Sequence, residues 1–179
     1  MSLRKVTLLL DRSSSMAGAP VGQAGAFIEW SLLSALKGNR HLYGDVLVSL
    51  VAFDTSAEWV VKDADIDTFV FPNAHEIAAF GGATLGAATD LLAEEISRVG
   101  DSESDLIVLI SDGHFLDDIV DVTDRFSALS SALRISLGVD AAFIQPLAYF
   151  ENWTKGGRRA AGDVFRATPQ DVENWLSLI

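Results

Sequence analysis

The sequence predicts a doubly wound α/β fold: a mostly parallel six-stranded sheet in the order 3-2-1-4-5-6, helices on both faces, and one antiparallel edge strand. Three observations lead there. Short apolar runs alternate with segments of helical periodicity from end to end of the chain. Residues 6–10 and 106–110 are apolar at nearly every position, as expected of strands covered on both faces in a parallel sheet. Only Asp54-Thr55-Ser56 separates two further runs, a link too short for a parallel crossover, so those two strands must pair antiparallel.

The elements follow in order. A strand over residues 5–11 leads to a helix over 21–36, where Phe27, Ile28, Trp30, Leu32, Leu33 and Leu36 imply extensive burial before Gly38-Asn39 ends it. The second strand spans 46–53. The third spans 58–62, and the charges of Glu58 and Lys62 at its ends suit an exposed edge. A helix over 85–99 carries Leu85, Ala88, Leu92, Ile96 and Val99 on one stripe, with Asp90, Glu94, Glu95 and Arg98 on the other side. A buried strand over 106–110 runs into Ser111-Asp112-Gly113. Then come a helix over 122–133, a strand over 135–139, a helix over 142–153, a strand over 164–167 and a closing helix. Thr168 or Pro169 opens that last helix, with Asp171 near the positive end of its dipole. No repeat, low-complexity segment or linker interrupts the pattern, so residues 1–179 read as one domain.

Composition narrows the function classes. Hydrophobic residues make up 49% and charged residues 21%, values of a chain that folds around a core. No apolar run approaches the roughly 18 to 20 residues needed to span a bilayer. The chain enters a strand almost at once, leaving no room for a signal peptide, and a cytoplasmic protein is expected. Without cysteine there is no disulfide framework, no thiolate zinc site and no cysteine nucleophile. A net charge of −12 argues against nucleic acid, whose binding rests on a basic footprint. The one basic cluster, Lys155-Gly156-Gly157-Arg158-Arg159, reads as a glycine-flanked surface loop.

Chemistry-bearing residues gather at three points. Asp11 ends the first strand, followed by Ser13 and Ser15. Asp112 ends the fourth, and in the predicted order those strands are neighbours at the switch point, where open α/β sheets bind ligands. Between them in sequence lies Phe80-Gly81-Gly82-Ala83-Thr84-Leu85-Gly86, a glycine-rich loop running into a helix. Taken singly, each has an ordinary explanation as turn former or helix cap. Together they form an all-oxygen set of the kind that suits a hard cation such as Mg²⁺. Asp117 and Asp118 read as a helix-start feature rather than a second metal site, and His114 as a loop residue, with a partner-selecting place on the rim of the metal face as the alternative. His41 and His75 carry no signal. Trp30, Trp59, Trp153 and Trp175 read as core or edge packing; Phe143, Tyr149, Phe150 and Trp153 read as core packing, with an exposed partner patch as the alternative.

Asp11-x-Ser13-x-Ser15, then Thr84, then Asp112 in a Ser-Asp-Gly context, resembles the metal-ion-dependent adhesion site of von Willebrand factor A domains, and the order of elements over residues 5–176 is similar too. Within that superfamily the short layout and the Gly-Gly-x-Thr loop look most like bacterial tellurite-resistance-associated proteins. Ser14 stands where the family often has glycine. The resemblance implies Mg²⁺ (or Mn²⁺) held by the Ser13 and Ser15 hydroxyls, by Thr84 directly or through water, and by Asp11 and Asp112 mainly through bridging waters. It further implies an open coordination position completed by an Asp or Glu carboxylate of a partner protein.

Three functions are thereby in view. The first is a non-enzymatic, divalent-metal-dependent protein-binding module, an adaptor in a bacterial tellurite or stress-response complex. The second is a subunit partnering an ATPase or chaperone-like machine. The third, a metal-dependent hydrolase, lacks its parts: no second carboxylate stands two residues after Asp11, no Gly-x-Ser-x-Gly elbow is present, and no phosphate-binding glycine motif follows a strand. The sequence leaves the oligomeric state open.

Overall fold

The computed structural model describes residues 3–73, 76–77, 80–140, 143–152, 162–163, 170 and 172–173. Five strands of six to nine residues form the sheet: β1 (Lys5–Asp11), β2 (Leu47–Phe53), β3 (Ala57–Asp65), β4 (Asp105–Ser111) and β5 (Leu133–Gly138). Their order is β3-β2-β1-β4-β5, with β3 antiparallel to β2 and the other neighbours parallel. The antiparallel edge strand is thus where the three-residue link demanded it.

At the sixth position of the expected order the described residues hold only a two-residue strand, Gly162–Asp163, parallel to β5 opposite Leu137 and Gly138; the expected strand over 164–167 lies outside the described residues. Side chains occupy the rest of that edge. Asn152 Oδ1 accepts the Arg134 amide at 2.8 Å and Glu151 Oε1 accepts the Ser136 amide at 3.0 Å. Among the described residues a main-chain neighbour thus meets β5 only at its last two residues.

Strand residues alternate between two cores. Leu8, Leu10, Val48, Leu50, Val108 and Ile110 face one helical layer, whereas Leu9, Val51, Phe53, Ile107 and Leu109 face the other. The first layer contains α1 (Ala19–Phe27), a π-helical stretch (Ile28–Leu33), α2 (Ser34–Gly38) and α3 (Arg40–Tyr43). The second contains α4 (Leu85–Val99), α5 (Ile119–Ser127) and α6 (Ile144–Phe150).

Several expectations need correcting. The single helix over 21–36 is α1, a π-helical stretch and α2 in succession. Trp30 is 74% exposed, because it lies about half a turn from the buried stripe of Val21, Ala24, Ile28, Leu32, Ala35 and Leu36. Helix α5 starts three residues before the expected 122, where Asp118 accepts from the Val120 and Asp121 amides. Helix α6 stops at Phe150 because the next two residues are extended or committed to β5.

Glu95, assigned to the polar side of α4, is instead buried between Lys62 and Arg98, each 2.7 Å away. The Arg98 hydrogen bond outweighs burial, and with Lys62 it holds the carboxyl at about 2 against an ordinary 4.5. A folded pKa below the unfolded one contributes stability that is present above 4.5 and lost as pH falls toward 2. Glu95→Gln should therefore flatten the decline of melting temperature between those pH values in acid-titrated thermal melts. An unchanged slope would dismiss the ion pair as a stabilising contact.

Candidate metal centre at the carboxyl edge of the sheet

Strand β1 is buried from Val6 onward, and its last residue, Asp11, is a carboxylate with no solvent exposure. Parallel pairing of Leu10 with Ile110 brings Asp11 level with Ser111 at the end of β4. Ser111 donates its hydroxyl to Asp11 Oδ2 at 2.6 Å, and the Ser13 amide donates to Asp11 Oδ1 at 2.8 Å. Ser13 is itself buried, and its hydroxyl lies 3.2 Å from that of the exposed Ser15. Asp112, half-buried, accepts the His114 amide at 3.0 Å.

The glycine-rich loop closes onto this edge. The Ser14 amide donates to the Gly81 carbonyl at 3.0 Å, an approach assisted by the left-handed backbone of Gly81 (φ +77°). Thr84 donates both its amide (2.8 Å) and its hydroxyl (3.0 Å) to the carbonyl of Asp54, at the end of β2. A hydroxyl that gives its proton to a carbonyl keeps its lone pairs for a cation. Phe115 forms a β-bridge with Ala83, and the Leu116 amide donates to the Ala83 carbonyl at 2.8 Å. Asp117 caps α4 rather than its own helix, accepting the Leu85 amide at 3.1 Å and the Gly86 amide at 2.6 Å. The loops bearing Asp11, Thr84 and Asp112 are therefore hydrogen-bonded into one surface.

The electrostatics are lopsided. Burial raises the Asp11 carboxyl above the usual carboxylate range, against the Ser111 and Ser13 hydrogen bonds, and the charge of Asp112 raises it further. Among the described residues no Lys or Arg bonds Asp11; the adjacent Arg12 is spent on Asp54, 2.9 Å away, and on Glu58. A buried carboxylate whose partners are all neutral donors lacks a counter-charge. A divalent cation would supply one. The donor set fits that ion: two carboxylates and three hydroxyls, all hard oxygens. No group of three or more His, Cys, Asp or Glu among the described residues is placed to hold a metal, so the serine and threonine oxygens are indispensable to the reading.

Three contributors escaped the sequence reading. Ser111 was legible in principle, since it is level with Asp11 once β1 and β4 are parallel neighbours. Asp54 acts through its backbone carbonyl, for which no side-chain pattern exists. Asp117 caps a helix that begins 32 positions upstream, beyond any local motif. Of the residues assigned to the core, Phe150 is buried, but Phe143 and Tyr149 are 49% and 44% exposed beside this edge. His75, Trp153, Trp175 and the Lys155 to Arg159 cluster lie outside the described residues.

No family model and no curated protein matches the sequence. Solved structures do. The fold is similar to proximal thread matrix protein 1 from the mussel byssus, described with a zinc-occupied MIDAS motif: TM-score 0.63 and 13% identity over 99% of this chain and 46% of that one. It is also similar to the SpRpn10 VWA domain, with TM-score 0.63 and 14% identity over 98% and 96% of the two chains. The VWA2 paralog of ArnB from Sulfolobus acidocaldarius matches with TM-score 0.57 and 16% identity, over 82% and 38%. This chain thus spans about half the length of the mussel protein. The fold is similar to that of von Willebrand factor A domains.

Proposed function

We propose that the chain is a non-enzymatic protein-binding module in which Asp11, Ser13, Ser15, Thr84 and Asp112 hold Mg²⁺ (or Mn²⁺). When bound, the ion supplies a Lewis-acidic position for an Asp or Glu carboxylate of a partner. One observation carries the proposal: Asp11, a buried carboxylate without a cationic partner among the described residues, sits at the meeting of three hydrogen-bonded loops that bear hydroxyls and a second carboxylate. Neutral hydroxyls in the ligand set leave the ion electron-poor, so an outside carboxylate gains more from it than it would among carboxylate ligands. The mussel protein's zinc-occupied motif supports a divalent ion in this fold.

The non-enzymatic reading has support in the serines. Ser13 and Ser15 pair with each other, and among the described residues neither bonds a His or Lys side chain able to remove a proton; the carboxylate that Ser13 does bond, Asp11, is itself assigned to the ion. The likeness of the Gly-Gly-x-Thr loop to that of bacterial tellurite-resistance-associated proteins is the support for placing the module in a bacterial tellurite or stress-response complex, and a cytoplasmic location is part of the same proposal. No helix among the described residues is long and apolar enough to cross a membrane. The net charge of −12 slows approach of an acidic partner but is screened beyond about 8 Å at physiological salt, which leaves direct coordination intact.

A cross-linked partner recovered from cell extract in Mg²⁺ should be lost in EDTA. Thr84→Ala should weaken its capture by about 10- to 100-fold, the range typical for loss of a supporting ligand at a metal site. Equal recovery in chelator would make the metal incidental and sink the proposal.

A further inference from the structure

Beside the metal edge, between the loop after β4 and the starts of α5 and α6, lies a cleft of about 570 Å³. Its walls combine two features that the metal reading does not use. The first is aromatic: Phe143 and Tyr149 present half-exposed rings, and Phe143 is held edge-on to His114 at 4.4 Å between centroids. Tyr149 is steadied by donating its hydroxyl to Asp124 at 3.2 Å. The second is charge: Asp117 and Asp118 line the cleft, whereas no Lys or Arg among the described residues does. Asp117 spends both oxygens on the amides at the start of α4. Asp118 spends only Oδ1, on the amides of Val120 and Asp121, and Oδ2 makes no hydrogen bond among the described residues.

We infer that this cleft takes an arginine side chain of the partner protein, with the guanidinium over the Phe143 and Tyr149 rings and paired with Asp118. The chemistry favours that occupant. A planar cation stacks on aromatic faces and bonds a carboxylate in the same pose, and its aliphatic stem is suited to the exposed Val120 at the cleft wall. A second acidic group would meet the field of Asp117 and Asp118 unneutralised. The inference deepens the proposed function and rests on it for one point only, that a single partner supplies both the metal-directed carboxylate and this arginine. Gly113 joins the two sites: it follows Asp112 directly and lines the cleft.

The test needs no metal. N-acetyl-arginine amide is titrated into ¹⁵N-labelled protein in EDTA, with N-acetyl-citrulline amide as the uncharged isostere. Saturable amide shifts are expected at Gly113, His114, Val120 and Tyr149, with citrulline about tenfold weaker. Asp118→Asn retains a good helix cap. It should weaken arginine about tenfold and leave citrulline unchanged. Equal binding of the two amides, an arginine affinity indifferent to Asp118→Asn, or shifts confined to other surfaces would overturn the inference. A separate Mg²⁺ titration reads Ser13, Ser15 and Thr84. Silence there removes the metal reading while leaving the arginine result standing, and the converse pattern removes the arginine site alone.

Discussion

Asp11→Asn should abolish most Mg²⁺ and Mn²⁺ binding in titration calorimetry while leaving the metal-free protein at least as stable as the wild type. Both halves follow from one environment. The Asp11 carboxylate is fully buried, and burial raises its pKa against the Ser111 and Ser13 hydrogen bonds, so its charge is held at a cost that nothing nearby offsets. An asparagine keeps an acceptor for the Ser13 amide, now 2.8 Å from Oδ1. Its NH₂ can donate to Ser111 Oγ, which already accepts the Gly113 amide at 3.0 Å and has a second lone pair free. The fold loses a buried charge and the one bond that the Ser111 hydroxyl donates. The metal loses a counter-ion, and affinity should fall by about 100-fold, the upper range for disturbed outer partners of an ion. Asp11→Ala is the poorer experiment, since it strands a buried amide and a buried hydroxyl at about 1–3 kcal/mol each. Undiminished heat from Asp11→Asn, or a lowered melting temperature in EDTA, would each contradict the account.

Gly113→Ala should be the most damaging single substitution at this edge. Gly113 has a left-handed backbone (φ +84°), and a Cβ there would collide with the backbone carbonyl of Phe143. A carbonyl at the start of α6 cannot swing aside as a side-chain tip could. Strained backbone and overpacking each cost about 1–3 kcal/mol, so a total near 4 kcal/mol is expected. In a chain of this size that lowers the melting temperature by about 10 °C. Gly22→Ala is the matching control. Gly22 lies within α1 with nothing in reach of an added Cβ, and alanine there should raise stability by roughly 0.5–1 kcal/mol. Scanning calorimetry separates the two. A Gly113→Ala protein that melts with the wild type would mean that the 113 and 143 backbones are not in contact.

The parts of this protein legible in its sequence are those set by periodicity and by short-range chain reach. Runs apolar on both faces identified β1 and β4, and the three-residue link made β3 antiparallel. The same reasoning placed Asp11 beside the end of β4 before any coordinates. Trp30 was equally legible and was missed because size was given precedence over phase. Counted along the helix, the tryptophan falls on the far side from the stripe of Val21, Ala24, Ile28, Leu32 and Ala35. The remaining errors were of another kind. The short sixth pairing depends on Asn152 and Glu151 folding back onto β5, and the burial of Glu95 depends on Lys62 arriving from a strand 33 positions away. No local pattern encodes a side chain that satisfies a distant backbone.

The cross-brace formed by the Ala83–Phe115 bridge, the Leu116 amide and the Asp117 cap has a mechanical meaning. Thr84 and the 115–117 segment can be displaced only as a unit, as two planks nailed to the same crosspiece. A pull on one is delivered to the base of α4 through Asp117 and to the end of β2 through the two Thr84 bonds to Asp54. Tension applied by a docked molecule would thus be shared between two loops from the outset, and the weaker of them would never have to bear it alone.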